Sequence, residues 1–123
     1  EFKTLSKRLP DFTPMGVIQG WSAPSMAWAA LQLVRMGYDY LAVGGLVPLD
    51  VPQIHAALTA ISAAIPPRVR LHLLGFGKIE NLDEFSKYPV ASFDTTSPLL
   101  RAFKDAVKNY FVRRPDGEID YYT

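Results

Sequence analysis

Four short apolar runs alternate along the chain with longer stretches in which apolar residues recur every three or four positions. The short runs have the length of buried strands and cover residues 16–20, 40–45, 69–74 and 90–93. Helical spacing predicts helices over residues 22–37, 50–66, 81–88 and 97–110. This alternation predicts an α/β fold of four sequential βα units with parallel strands.

Capping residues support three of the predicted helices. Ser22, Asp50 and Ser97 are candidate N-caps, and a proline follows each of them within the first turn. Gln53 lies three residues after Asp50, which is the spacing of a capping box. Gly37 stands where a glycine ends a helix. The helix over residues 81–88 has no comparable capping signal.

Four βα units can bury a parallel sheet in two ways. The sheet can be wound with helices on both faces, or it can form half of an eight-stranded barrel. The pattern of residues does not choose between these architectures. In both of them ligands bind at the carboxyl ends of the strands, where the βα loops converge.

The predicted strand ends carry small or polar residues that would share one rim. Gln19 ends the first strand, Gly44 and Gly45 end the second, Gly75 follows the third and Asp94 the fourth. An amide offers both a donor and an acceptor, which suits the edge of a nucleobase or, alternatively, a loop backbone. Glycine permits close approach of the backbone to a flat ligand, or simply a tight turn.

Asp94 is the candidate catalytic residue of this rim. A carboxylate on a rigid strand end can act as a nucleophile or a base. The commoner role of an aspartate before a helix is that of a cap, for which Thr95 and Ser97 compete. His55 and His72 lack cysteine or acidic neighbours at metal-ligand spacing, so both are predicted to be structural and no metal site is expected.

Size and composition are those of one domain or part of one. Among 123 residues, 49% are hydrophobic and 20% charged, which is enough apolar residue for a core. We expect a polar lead-in over residues 1–15, the βα domain over 16–112 and a tail over 113–123, with a turn at 113–117. No apolar run approaches the roughly 18–20 residues of a membrane span. Cysteine is absent, which fits a cytoplasmic protein and excludes a cysteine nucleophile from these residues.

The charges nearly balance, since 13 basic residues face 12 acidic ones and the net charge is +1. The chain therefore lacks the overall basic character of many nucleic-acid-binding domains. Basic residues nevertheless cluster near both ends, and Arg101 and Lys104 lie on the last predicted helix. They could contact phosphates, or they could form an ordinary solvated helix surface.

Four segments of the chain carry motifs in a recognisable order. Residues 16–20 read G-V-I-Q-G, residues 36–46 M-G-Y-D-Y-L-A-V-G-G-L, residues 73–77 L-L-G-F-G and residues 92–94 S-F-D. They resemble the G-[IV]-[VI]-Q-G, G-[FY]-D-G-[YF]-A-[IV]-G-G-L, Y-L-M-G-V-G and M-F-D motifs of the tRNA-guanine transglycosylase (queuine/archaeosine tRNA-ribosyltransferase) superfamily. One such match is weak, but four in order are specific.

The resemblance implies a (β/α)8 TIM barrel, of which this chain would supply the C-terminal half, strands five to eight. It implies exchange of guanine for a 7-deazaguanine base in tRNA or DNA, with Asp94 forming a covalent bond to the ribose. The chain alone would be inactive and would need the missing barrel half or a homo-oligomer. The residues matched to base binding are Gln19, Gly44, Gly45 and Leu46, with Leu74 and Gly75 as the pocket floor.

The chain departs from the family pattern in three respects. The V-L-P-T-R-like run that follows the family's nucleophile is T-T-S-P-L-L-R here, over residues 95–101, so the Thr-Arg pair that grips RNA is missing. The cysteine-rich zinc site and the earlier strands of the family are also absent, and no cofactor is expected. These departures favour the branch that inserts 7-deazaguanines into DNA.

Two alternatives remain at this stage. The chain could be a noncatalytic member of the family that binds a purine-like base or pairs with a catalytic subunit. It could also be a small wound α/β ligand-binding domain, unrelated to the family, in which Asp94 is a cap.

Overall fold

The computed structural model describes residues 4, 7, 8, 10–104 and 110–122. Strands and helices alternate through most of it, and a hairpin follows. The strands are β1 (Gly16–Ile18), β2 (Tyr40–Val43), β3 (Arg70–Leu73), β4 (Val90–Phe93), β5 (Tyr110–Arg113) and β6 (Ile119–Tyr122). The helices are α1 (Ala23–Arg35), α2 (Val51–Ala64) and α3 (Ser97–Lys104), with a 3₁₀-helix over Ile79–Phe85 between β3 and β4.

The first four strands form one parallel sheet in the order β1-β2-β3-β4. This confirms the predicted parallel strands in sequential order. The last residues of the four strands lie in one row across the sheet, since Val43 pairs with both Ile18 and Leu73, and Leu73 pairs with Phe93. The carboxyl ends of all four strands therefore meet at one rim.

Two predicted N-caps, Ser22 and Asp50, are confirmed, and each forms a capping box. Ser25 donates its backbone N–H to the Ser22 hydroxyl, while the Ser25 hydroxyl accepts the N–H of Ser22 at 3.0 Å. Gln53 donates its N–H to the Asp50 carboxylate at 2.8 Å, and its side chain accepts the N–H of Asp50 at 2.9 Å. Each box fixes the helix start that follows a strand end.

None of the helices in the described ranges is both long and apolar enough to cross a bilayer.

The hydrophobic core lies between one face of the sheet and helices α1 and α2. Its strand residues are fully buried, and the helices contribute Met26, Ala30, Ile54, Ala57, Leu58 and Ile61. The strand residues in this core are Ile18, Leu41, Val43, Leu71 and Leu73. Because side chains alternate along a strand, the row Val17, Ala42, His72 and Ser92 lies on the other side of the sheet, here called the open face. Val17 is 49% exposed there.

The segment before β4 is a 3₁₀-helix over Ile79–Phe85 instead of the α-helix predicted over residues 81–88. Its apolar residues Ile79, Leu82 and Phe85 recur every three positions, which is the period of a 3₁₀-helix. Phe85 is 1% exposed and packs edge-on against Phe76. The regular spacing of three explains the difference.

The prediction for the last helix is wrong at both of its ends. Ser97 is the first residue of α3 and not its N-cap, since Ser97 donates its N–H to the Thr95 hydroxyl at 3.1 Å. Tyr110, the last residue of the predicted helix, begins strand β5. Residues 105–109 of the predicted helix lie outside the described residues.

The expected tail contains a β-hairpin. Strands β5 and β6 pair antiparallel, with Tyr110 opposite Tyr122 and Arg113 opposite Ile119. Aromatic and β-branched residues of β5 favour an extended conformation, and Gly117, with φ of +90°, forms the turn between the strands. The domain boundary predicted at residue 112 therefore falls inside β5.

Replacement of a core leucine tests the placement of the core. Leu58→Ala should lower the free energy of unfolding by about 2–5 kcal/mol, because Leu58 is 0% exposed and its loss leaves a cavity. The matched control Leu99→Ala removes the same atoms from a residue that is 59% exposed and should cost less than about 0.5 kcal/mol. Urea denaturation measures both, and equal losses would contradict this core.

Candidate active site

The hydrogen-bond ladder of the sheet continues one residue beyond each strand. The N–H groups of Gly44, Leu74 and Asp94 each donate to the carbonyl oxygen of the last residue of the preceding strand, at 3.1 Å in all three cases. Gln19, Gly44, Leu74 and Asp94 consequently form a further row across the sheet, here called the rim row. The structure therefore brings four of the predicted site residues side by side.

The rim row belongs to the open face, because it lies two residues beyond the row that contains His72 and Ser92. A β-bulge in β4 is needed to place Asp94 on the open face. Leu71 pairs with Val90 but His72 pairs with Ser92, so Ala91 is an extra residue on β4. Without it, the alternation of β4 would direct Ser92 and Asp94 toward the core side. The bulge thus aims the carboxylate at the open face.

Asp94 has one hydrogen-bond partner on each carboxylate oxygen. The N–H of Gly75 donates to Oδ1 at 2.8 Å, and Nε2 of His72 lies 2.9 Å from Oδ2. The hydrogen bond from His72, followed by that from Gly75, holds the pKa of Asp94 below its usual value. The side chain remains 54% exposed. Asp94 is therefore an ionised, oriented carboxylate that a substrate can reach.

Asp94 does not cap the following helix. Thr95 supplies the hydroxyl that accepts the N–H of Ser97, while the Asp94 carboxylate points to β3 and its loop. The interpretation of Asp94 as a cap is therefore wrong, and the wound ligand-binding domain that assumed it loses its support.

His72 is the site residue that sequence reasoning missed. It was predicted to be structural, yet its side chain is only 14% exposed and contacts Asp94 directly. Its Nδ1 lies 2.5 Å from the Ser92 hydroxyl, which also contacts the hydroxyl of Tyr40. The available signal was a polar residue directly before the last, apolar residue of each of two neighbouring strands, His72 in β3 and Ser92 in β4.

The glycines of the rim leave room for other groups. A Cβ atom on Gly44 would stand 2.7 Å from Nε2 of Gln19, so the amide occupies the space that the missing side chain leaves. Gly45 has φ of +74° and nothing within 4 Å of its Cβ position. Gly75 has φ of +63°, a conformation that favours glycine, and turns its N–H toward Asp94.

Three predicted site residues, Leu46, Arg101 and Lys104, are placed differently from the residues of the rim. Leu46 is 2% exposed and packs in the core, and its carbonyl oxygen accepts the N–H of Leu49 at 3.1 Å. Arg101 forms an ion pair with Glu80, with Nη2 and Oε1 3.1 Å apart. Lys104 is exposed on the same helix, and both basic residues line a cavity of about 200 Å³. Within the described ranges, no three His, Asp or Glu side chains are grouped to hold a metal ion.

The sequence of this chain is similar to those of several known proteins. The chain is 39% identical over 106 residues to a DNA-guanine transglycosylase from Salmonella montevideo. It is 33% and 35% identical over 89 residues to queuine tRNA-ribosyltransferases from Hamiltonella defensa and Shewanella denitrificans. The chain belongs to the tRNA-guanine transglycosylase family.

These matches cover a large share of this chain but a small share of its relatives. The match to the Salmonella protein covers 86% of the chain, and the matches to the two tRNA-ribosyltransferases cover 71%. The chain spans about a quarter of the length of the curated relatives that it matches. No protein-family model matches the chain.

The lowered pKa of Asp94 makes stability depend on pH. Its contribution to the free energy of unfolding is present above the ordinary value of 3.8 and is lost as pH falls through the lower folded-state value. Wild type should therefore be more stable than Asp94→Asn at neutral pH, and the difference should shrink as the pH falls toward about 2. Urea denaturation from about pH 7 to about pH 2 measures this, and a pH-independent difference would contradict it.

Proposed function

We propose that this chain is the C-terminal half of a (β/α)8 barrel that exchanges guanine for a 7-deazaguanine base in a polynucleotide. Asp94 is the nucleophile of this exchange. The observation that carries the proposal is the rim row, in which an oriented, ionised Asp94 shares one edge of the sheet with Gln19, Gly44 and Leu74. Family membership supplies the class of reaction.

The sheet supports the half-barrel. Its strands follow one another in sequential order, and α1 and α2 both pack on the same face. A wound sheet with helices on both faces needs a reversal of strand order, which is the topological switch point of such folds. Sequential order with helices outside is the arrangement of a barrel wall. The open face would then become the barrel interior, and the chain needs the missing half, or another subunit, to close it.

The chemistry proceeds in two displacements at the anomeric carbon of the nucleotide. An Asp94 oxygen attacks this carbon, the bond to guanine breaks and its electron pair leaves on the base. The incoming 7-deazaguanine base then attacks the same carbon and the bond to Asp94 breaks. Guanine gains one proton and the incoming base loses one, so the protons balance over the exchange. Two inversions give net retention, as in retaining glycosidases.

The base would lie along the rim between Asp94 and Gln19. The row spans three strand separations, or about 14 Å, which accommodates a ribose carbon and a purine in line. The Gln19 amide provides a donor and an acceptor for the base edge, and the glycines allow its flat surface to approach the backbone. The proposed contacts of the base are Gln19, Gly44, Gly45, Leu74 and Gly75, with Leu46 packed in the core next to Gly45 as their support.

DNA is the favoured polynucleotide. The relative named DNA-guanine transglycosylase matches at 39% identity over 86% of the chain, whereas the two tRNA-ribosyltransferases match at 33% and 35% over 71%. The run after Asp94 also lacks the Thr-Arg pair expected of the tRNA enzymes. Lys104, and Arg101 once released from Glu80, are the proposed phosphate contacts on α3. A cytoplasmic location and the absence of a cofactor stay predictions.

Substitution of Asp94, the proposed nucleophile, tests the proposal. The experiment uses an enzyme in which this chain is joined by the missing half of the proposed barrel. Asp94→Asn should abolish incorporation of labelled 7-deazaguanine, because an amide of the same size cannot displace guanine. The matched control Asp50→Asn makes the same chemical change at a helix cap, where asparagine serves equally well, and should exchange at the parental rate.

DNA and tRNA are both offered as substrates in the same assay. Incorporation into guanine-containing DNA but not tRNA is the expected result, and the reverse would contradict the DNA assignment alone. Exchange by Asp94→Asn at a near-parental rate would contradict the nucleophile. Binding of the base by a wild-type protein that never exchanges it would identify a noncatalytic family member.

A further inference from the structure

We propose that His72 is a positioning residue that orients Asp94 for attack, at the end of a hydrogen-bonded series running from Tyr40 through Ser92. The inference rests on the proposed function, because it concerns the nucleophile of that reaction. The series joins three neighbouring strands, since Tyr40 lies on β2, His72 on β3 and Ser92 on β4.

Hydrogen-bonding capacity fixes the direction of the series. An ionised carboxylate only accepts, so the Nε2 atom of His72, 2.9 Å from Oδ2 of Asp94, must carry a hydrogen. In the neutral ring Nδ1 is then an acceptor, and the Ser92 hydroxyl at 2.5 Å is its donor. The Ser92 oxygen in turn accepts from the Tyr40 hydroxyl. The hydrogens of the Tyr40 hydroxyl, the Ser92 hydroxyl and Nε2 of His72 are therefore all donated in one direction, toward Asp94.

The two donors on Asp94 come from different elements. Gly75 holds Oδ1 from the loop after β3, and His72 holds Oδ2 from within β3. Two fixed donors define the plane of the carboxylate, and an ordered strand supplies the support that a loop residue would lack. Both donors bind the ionised form, so they also stabilise Asp94 when the second displacement expels it from the sugar.

The surroundings of His72 show that it is not an isolated surface contact. Three titratable or charged groups of β2, β3 and β4 share the open face with His72. They are Tyr40 from β2, Arg70 from β3 and Asp94 after β4. Arg70 donates to the carbonyl oxygen of Pro67 and lies at the opposite end of the strand from Asp94. Asp94 is therefore the charged group that the ring contacts.

Two amide variants separate the two ends of the imidazole ring. In His72→Gln the side-chain nitrogen reaches the position of Nε2 and keeps a donor for Asp94, whereas in His72→Asn it reaches only the position of Nδ1 and loses Asp94. Both variants remove the titratable ring. His55, the other histidine of the chain, joins α2 to the 3₁₀-helix through Tyr88 and Glu84, so His55→Asn is the matched control.

The enzyme with a complete barrel is assayed for kcat and KM of base exchange, and the ¹³C signal of the Asp94 carboxyl is titrated in each variant. His72→Asn should lower kcat by about 10- to 100-fold with little change in KM, and should raise the pKa of Asp94 toward its usual value. His72→Gln should recover most of kcat and keep the pKa of Asp94 low. His55→Asn should match wild type in both measurements.

Three results would overturn the inference, each in a distinguishable way. Wild-type kcat in His72→Asn excludes a positioning role. Equal losses of kcat in both His72 variants, with the Asp94 titration unchanged, assign His72 to packing alone. A wild-type enzyme that exchanges no base overturns the proposed function and the positioning role together, even where the titration still reports the contact between His72 and Asp94.

Discussion

The register of the parallel ladder is the constraint on which the site depends. Each strand of the β1–β4 sheet carries its pairing one residue past its end, through the N–H groups of Gly44, Leu74 and Asp94. Backbone donors and acceptors inside a sheet must be paired, so these positions are held as firmly as the strands themselves. The bulge at Ala91 sets the face on which Asp94 emerges. A carboxylate placed in this way needs no mobile loop to position it.

Polar side chains on the open face follow from the same register. Tyr40, His72 and Ser92 come from three adjacent strands and satisfy one another's hydrogen bonds. In a closed barrel this face would be interior, where an unpaired hydroxyl or imidazole costs about 1–3 kcal/mol. Their mutual pairing makes the row compatible with that interior and leaves Nε2 of His72 to bind Asp94. The same hydrogen bonds thus support the fold and orient the carboxylate.

Much of this architecture could be predicted from the sequence, because local rules determine it. Alternating apolar runs predicted the strands, Ser22 and Asp50 predicted two helix starts, and the alternation of strands with helices predicted parallel strands that neighbour one another in chain order. The 3₁₀-helix and the hairpin were missed, because apolar residues spaced by three and a short extended segment after a helix carry weak local signals. The contact of His72 with Asp94 was missed for a different reason.

That contact joins residues 22 positions apart, and it exists only because the two strands pair in one register. The bulge at Ala91 decides whether Ser92 and Asp94 lie on the same face of the sheet as His72. Sequence periodicity does not report the position of such a bulge, since either alternation of β4 places some apolar residues in the core. The identity of the rim residues was therefore predictable, whereas the partner of the carboxylate was not.

Peptide mapping of the trapped intermediate tests most directly whether Asp94 forms the covalent bond. The enzyme with a complete barrel is incubated with guanine-containing DNA, denatured before a second base is added, digested with nuclease and protease, and analysed by mass spectrometry. We expect a nucleotide-derived mass on the peptide that contains Asp94, with fragment ions that assign it to this residue. A stable adduct on any other residue, or full exchange activity with no adduct at all, would contradict it.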